Sequence, residues 1–452
     1  MDRFDFVIVG AGAAGEAAAD EARRHGASVA VVERDLYGGS CAFWACIPSK
    51  TLLHAAAVHD AGGDYPWPRA SARRDYMIVR EDRDYPDDSS HVRTLETSGA
   101  TVVRGVGRLG GPGRVLVRTP DGGERELAAG DVILAVGSEP AVPDIEGLAE
   151  AEPWTNREGT SLRELPESIV VLGGGATGVE LAQVYARYGV RTTLLQSRDR
   201  LLPRDHPRNS EAVRRGLEAV GVAVRLGVRA SRVRARAGRG GEHVVELSDG
   251  STVDGERILA AAGRRLPLAD LGLETVGVRL DERGRIHPDE QLRLAEHLYV
   301  IGDPAGPELQ THVSDYEGHL AVRMALGEDV RPHLRAIPRA VFTDPEVASV
   351  GIDADEARRQ GHDPLERTKE LGSSARGYLV EQDGHVTAII DRATRTLLGA
   401  FIAGPGATEA IHAAVVAMRA GLTIDVLADT ITAFPTTSRV LGLLFDELAR
   451  AE

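Results

Sequence analysis

The sequence predicts an α/β protein in which two Rossmann-like domains precede a C-terminal α+β domain. Three observations predict it. A strand, glycine turn, helix and strand occupy the first thirty-five residues, the same unit recurs at 168–196, and 331–452 follows a different pattern. In that last stretch strand-like segments (339–342, 385–391, 397–403) alternate with helical ones (353–360, 406–420, 438–450). At 452 residues the chain has room for about three domains of ~150 residues each.

In the first unit, Phe6-Val7-Ile8-Val9 is a wholly apolar run, as expected of a parallel strand buried on both faces. The turn Gly10-Ala-Gly12-Ala-Ala-Gly15 follows, then an Ala-rich helix to about His25 and a strand over 28–32 ending at Glu33. Such a turn between strand and helix holds a dinucleotide. Its first glycine permits the tight turn, its second lets backbone N–H groups approach the pyrophosphate, and its third lets helix and strand pack closely. Glu33, 23 residues after Gly10, is placed to hold the ribose hydroxyls.

The second unit has its strand at 169–172, its turn at Gly173-Gly-Gly175-Ala-Thr-Gly178, its helix over 179–188 and its next strand over 190–195. Gln196 takes the acid's position, followed by Ser197-Arg198-Asp199-Arg200. A carboxylate there would repel a 2′-phosphate, whereas an amide, a hydroxyl and a guanidinium accept one. This copy therefore leans to NADPH, with NADH possible. An ordinary polar loop after a strand would look the same. Between the copies, 61–90 is polar and rich in Pro and Asp and reads as a surface excursion, and short β-rich pieces fill 101–137.

Composition excludes several classes. Net charge is −15, against a nucleic-acid binder, and the basic run at 225–239 alternates with Val and Ala as a solvated strand face would. The N-terminus lacks the basic region and apolar core of a signal peptide, and no apolar stretch approaches the ~20 residues of a membrane helix. A cytoplasmic protein with no membrane partner is expected. The chain has two Cys, and subtracting the two lysines, Lys50 and Lys369, from 53 basic residues leaves 51 Arg. Two cysteines cannot build a disulfide-rich secreted fold or a four-cysteine metal site, and no metal is expected. Cys41, Cys46 and Lys50 share the stretch CAFWACIPSK. Pro48 suits the first turn of a helix running to about Asp60, which places Cys46 at a helix N-terminus, where a thiolate is stabilised. Lys50 adds a positive charge one turn on. Two buried, inert cysteines are the alternative.

On these residues the chain resembles, end to end, the FAD-dependent pyridine nucleotide–disulfide oxidoreductases, which include dihydrolipoamide dehydrogenase, glutathione reductase and mercuric reductase. Gly38-Gly39-Ser40-Cys41 and Cys46-Ile-Pro-Ser-Lys50 look like the family's redox motif. Ala135-Val-Gly137 and Ala262-Gly263-Arg264 are similar to its strand-end motifs, Tyr299-Val-Ile-Gly302-Asp303 to its flavin-ribityl segment, and 342–351 to the start of its dimerisation domain. The resemblance implies an FAD domain (1–153 and 267–332), an inserted NAD(P) domain (154–266) and an interface domain (333–452) that makes a homodimer. It implies that Cys46 faces the flavin, that Cys41 is the interchange thiol, and that Lys50 pairs with Glu180. It also assigns cofactor contacts to Gly39, Ser40, Gly107, Gly137, Asp303, Val313 and Gly263, with the helix after Thr311-His312-Val313 aimed at the flavin.

Two departures stand out. Where the family's disulfide reductases carry His-Pro-Thr-x-x-Glu, this chain reads Phe434-Pro435-Thr436-Thr437-Ser438-Arg439, so the base and its orienting acid are both replaced. Acid–base catalysis worth ~10²–10⁴-fold is missing from that position. Mercuric reductases share Phe-Pro here, but this chain lacks their C-terminal cysteine pair and the Tyr after the Pro. Between the cysteines, Phe43 and Trp44 either repack the pocket wall or make a narrower, aromatic pocket for a flat acceptor.

The leading expectation is an NAD(P)H-dependent FAD enzyme passing electrons through Cys41–Cys46 to a small acceptor that is not a simple disulfide. The alternative is a diaphorase, quinone reductase, transhydrogenase or biosynthetic flavoenzyme whose cysteines are not catalytic. A silent flavoprotein that only binds a partner is disfavoured by two intact dinucleotide motifs. His54 and His59, five apart on one helix, lie on different faces and read as ordinary core or surface histidines. His312 and His412 are the candidates for a substitute acid.

Overall fold

The computed structural model describes residues 2–235, 241–306 and 308–451, so 236–240 of the basic run lie outside the described residues. The chain forms two compact units, 1–51 with 71–141 and 264–332, and 52–70 with 142–263 and 333–452.

In the first unit β1 (Asp2–Val9) is followed by α1 (Ala13–Arg24) and β2 (Val29–Glu33). Then come α2 (Gly39–Phe43), α3 (Cys46–Asp60), α4 (Trp67–Met77), α5 (Ser89–Ser98) and β3 (Thr101–Arg104). The sheet runs Leu298–Val300, Glu124–Leu134, β1, β2, β3, all parallel, which is why Val7, Ile8 and Val31 are wholly buried. On one face, Ala14, Ala18 and Ala22 of α1 share a core with Leu320, Ala321 and Met324 of the helix Thr311–Ala325. Small alanines let the two helices lie close. Glu16 in the first turn of α1 and Arg23 and Arg24 in its last suit the helix dipole.

The second unit repeats the pattern. Four parallel strands run Ala223–Leu226, Arg191–Gln196, Ser168–Leu172, Arg257–Ala260, with the helix Ala176–Arg187 after the glycine turn. Three arginines of the basic run sit on strands with acidic partners: Arg225 with Asp249 at 3.1 Å, Arg232 with Glu146 at 2.5 Å and Arg234 with Glu246 at 3.1 Å. The same unit holds a five-stranded antiparallel sheet, ordered Pro338–Val341, Val347–Gly351, Leu397–Ala403, His385–Asp391, Pro364–Glu370. Its two central strands are buried along their whole length because helices cover both faces. Leu441, Leu444 and Leu448 lie on one side and Ala354 and Ala357 on the other.

Three expectations change. The helix of the second copy begins at Ala176, inside the glycine turn, rather than at 179. The stretch 61–90 is not a surface excursion: it carries α4, and Trp67, Ala70, Arg74 and Ile78 are buried. Its polar composition is misleading because the buried charges satisfy one another. The Asp75 carboxylate accepts from Arg74 Nε at 2.8 Å and from Arg80 at 2.7 Å. Finally, Gly39–Asp60 is, by length and composition, apolar enough to cross a membrane. Its apolar side chains have another use, since Leu52, Leu53, Ala55 and Ala56 pack in a cluster with Trp67, Ala70 and Val184.

The third glycine of each turn is sterically forced. A β-carbon on Gly178 would stand 1.9 Å from the Gly173 carbonyl oxygen. Gly178→Ala should cost about 1–3 kcal/mol as an overpacking change, read as a lower urea midpoint at unchanged slope. An unchanged midpoint would show that the turn can relax.

Candidate active site

The site grows out of the first glycine turn. Gly10 has φ 107° and no room for a side chain, since a β-carbon would lie 2.3 Å from the Ala135 carbonyl oxygen. At Gly12 the nearest atom to such a carbon would be the Gly39 Cα, 3.9 Å off, and at Gly175 of the second turn nothing lies within 4 Å. Each turn thus leaves space where a pyrophosphate approaches a helix N-terminus. Glu33 ends β2 beside this turn, its carboxylate accepting from the Ala11 N–H at 2.8 Å and the Asp35 N–H at 2.7 Å. Burial pushes its carboxyl above the usual range despite those bonds.

The redox segment is tied to the same turn. The Gly38 N–H donates to the Ala11 carbonyl at 2.8 Å, and Gly38 (φ 100°) caps α2 in the left-handed region. Cys41 lies on α2 and Cys46 opens α3, with Pro48 in the first turn as expected. Both cysteines are free thiols, half-buried. A hydrogen bond with Cys46, reinforced by burial and by charge on Cys46, pushes the Cys41 thiol far above its ordinary value. Cys46 Sγ also lies 3.5 Å from Thr311 Oγ1, at the first residue of the helix Thr311–Ala325. The N-terminus of that helix is thus placed at the thiol pair.

Around it, the Gly302 N–H donates to Glu317 at 2.8 Å, and the Asp303 carboxylate accepts from Ser138 Oγ. Arg264 Nε donates to that same Ser138 oxygen and lies 3.7 Å from Asp303. Gly137 has open space at its Cα, and Val313 is buried in the first helical turn. Gly107 packs on Val9 and Val32 at the ends of β1 and β2. Ser40 is exposed, and Lys50 is half-buried.

In the second unit, Gln196 is buried beneath Gly174, whereas Ser197 and Arg198 are exposed. Gly263 (φ 142°) has nothing within 4 Å of its missing side chain. Glu180 is buried on the helix Ala176–Arg187 and accepts from the Phe342 N–H at 3.0 Å. Phe434 is 75% exposed. His412 is exposed, its Nδ1 3.3 Å from the Glu409 carbonyl, and His54 and His59 lie against different tyrosines, Tyr65 and Tyr188.

Phe43 and Trp44 do not line a pocket. They are 2% and 5% exposed and pack with Leu36 and Ile78, so the repacking alternative holds. Sequence reading also missed Ser138, whose partner Asp303 lies 165 positions away, and Glu317, which reaches back 15 positions to the Gly302 N–H.

Fold and site together define a flavin- and pyridine-nucleotide-dependent oxidoreductase with a dithiol beside the flavin turn. The family model "Pyridine nucleotide-disulphide oxidoreductase" matches residues 4–318, and that family's dimerisation domain matches 337–444. The chain belongs to the pyridine nucleotide–disulphide oxidoreductase family. It is 35% identical to a dihydrolipoyl dehydrogenase of Chlorobaculum tepidum over 99% of this chain and 97% of that one. It is 32% identical to a mercuric reductase of Shigella flexneri over 96% of this chain and 79% of that one. Among solved structures it is similar to the HOCl-induced flavoprotein disulfide reductase RclA from Escherichia coli, as a Cu(II) complex (TM-score 0.88, 27% identity, 99% of this chain and 100% of that one). The family uses FAD and a pyridine nucleotide. The residues fit both, through the open cradles at Gly12 and Gly175, the Glu33 carboxylate and the Asp303–Ser138–Arg264 cluster.

Glu317 offers a test of this environment. Burial and the charge on Asp303 hold its carboxyl up, from 4.5 to about 7, with the Gly302 N–H opposing. The folded protein then keeps a proton that the unfolded chain loses, so this group's contribution to stability falls as pH rises from about 4.5 to about 7. Glu317→Gln should gain stability relative to the parent across that window, measured by urea unfolding of the apoprotein. A constant difference would contradict the raised value.

Proposed function

We propose that this enzyme oxidises NADPH and passes two electrons through the Cys41–Cys46 pair to an acceptor other than a simple disulfide. The observation that carries the proposal is Phe434. It stands where the disulfide reductases place their imidazole, and its exposed phenyl ring can neither take nor give a proton. The high value of Cys41 sharpens the point, because a disulfide acceptor must be protonated as it leaves and the proton sits on a thiol that releases it reluctantly. A metal ion accepts electrons without that handover.

When bound, FAD supplies the two-electron exchange between nicotinamide and dithiol. Gly10, Gly12, Gly15 and Glu33 would hold its ADP half, and Asp303, Val313 and the end of the helix Thr311–Ala325 its other half, with Gly39, Ser40, Gly107 and Gly137 alongside. Cys46, at a helix N-terminus and bonded to Thr311, is the thiol that carries negative charge, and Cys41 is the one that meets the acceptor. Lys50 and Glu180 keep the paired role that the family assigns them. Gly173, Gly175, Gly178 and Gly263 would shape the nucleotide site, and Ser197 and Arg198 would take the 2′-phosphate of NADPH. The dimerisation domain supports a homodimer.

Two measurements test this. Wild-type enzyme should turn over lipoamide and glutathione disulfide poorly, and Phe434→His with Arg439→Glu should raise those rates by about 10²-fold. Robust turnover by the wild type would overturn the reading. Cys41→Ser should stop transfer to the acceptor, and unchanged acceptor kinetics would favour electrons leaving the flavin directly. For the nucleotide, Arg198→Ala should raise the KM for NADPH about tenfold or more and leave that for NADH unchanged, as expected for loss of a charge-assisted bond. Equal changes for both would remove the NADPH assignment.

A further inference from the structure

The helix that follows the polar stretch 61–90 reaches back onto α2. His91, on α5, donates through Nδ1 to Glu16 Oε1 at 2.9 Å, in the first turn of α1. Its ring covers the Gly38 Cα so closely that a β-carbon there would lie 2.7 Å from Cε1 and Nε2 and 2.9 Å from Nδ1. The other edge of the ring meets Phe43, with centroids 5.6 Å apart at 63°. Gly38 caps the start of the five-residue helix α2 and Phe43 ends it, and Cys41 is its middle residue. One imidazole therefore touches both ends of the turn that carries Cys41, and a carboxylate on the dinucleotide helix anchors it. Glu16 holds the His91 ring above its ordinary value, so the bond is an ion pair over a wider range than a free histidine allows. Tyr85 braces the same helix from the other side, its ring 5.5 Å from Trp44 and its hydroxyl donating to Asp35 at 2.5 Å.

We propose that Glu16 and His91 form a strut that holds α2 so that Cys41 stays against Cys46, making His91 a positioning residue for closure of the disulfide. This rests on the proposed reading of the cysteines as a redox pair. Closure converts two thiols to one S–S bond, with two electrons and two protons passing to an external disulfide that becomes a dithiol. Holding one thiol beside the other raises its effective concentration and so favours the closed form. Loosening α2 lowers that concentration and makes the pair more oxidising.

The test uses the FAD-loaded enzyme equilibrated in buffers of reduced and oxidised dithiothreitol, with free thiols counted by alkylation and mass. His91→Ala should weaken closure about tenfold, equivalent to a midpoint about 30 mV less negative for this two-electron couple. Glu16→Ala should give a similar shift, and the double variant should be no worse than His91→Ala, as members of one strut are non-additive. His91→Asn, which keeps a donor near Nδ1, should recover part of the shift. If His91→Ala fails to fold, Glu16→Ala and His91→Asn decide the matter. Midpoints equal to wild type in the variants that fold would overturn the strut. A wild-type pair that never closes would instead overturn the redox reading itself.

Discussion

At Gly15 and again at Gly178, a β-carbon would stand 1.9 Å from the carbonyl oxygen of the glycine that opens the same turn. That contact fixes how closely each helix begins beside its strand, and the rest of the site is built outward from it. In the first unit the next residue of the turn, Ala11, receives Glu33 on its N–H and Gly38 on its carbonyl. The carboxylate of Glu33 and the start of the helix that carries Cys41 are thereby tied to one residue. A longer side chain in the turn would separate helix from strand and carry the redox segment away with it.

The thiol chemistry depends on a second asymmetry. Cys46 begins a long helix, while Cys41 sits on a single short turn and its thiol is pushed up by the bond to Cys46; Thr311, at the start of another helix, meets both. Two cysteines of equal chemistry are made unequal by where the backbone places them. The family's disulfide reductases complete this arrangement with an imidazole, and Phe434 leaves that place apolar. On the proposed reading, the pair transfers electrons without the usual route for its proton.

Much of this was legible in the chain. The two glycine turns, the parallel strands before them, Pro48 in the first turn of α3 and the strands His385–Asp391 and Leu397–Ala403 follow from local rules of turn chemistry and burial. What stayed hidden was decided by distant partners. The polar run 61–90 holds a half-buried helix whose charged residues are paired, Arg74 and Arg80 sharing the Asp75 carboxylate, and composition counts the charges without their pairing. Phe43 and Trp44 lie where an aromatic pocket could be imagined, yet Leu36 and Ile78 enclose them.

The sequence by itself determined the cofactor frame, because glycine spacing and a following acid are steric and electrostatic requirements that act within about thirty residues of chain. It also determined that the usual proton handler is absent, since phenylalanine cannot ionise in any surroundings. Only the tertiary structure decided where Glu317 and Ser138 enter, and how His91 and Glu16 bracket α2. Those outcomes depend on burial and on contacts between residues 15 to 165 positions apart, and neither is encoded in a turn or strand pattern.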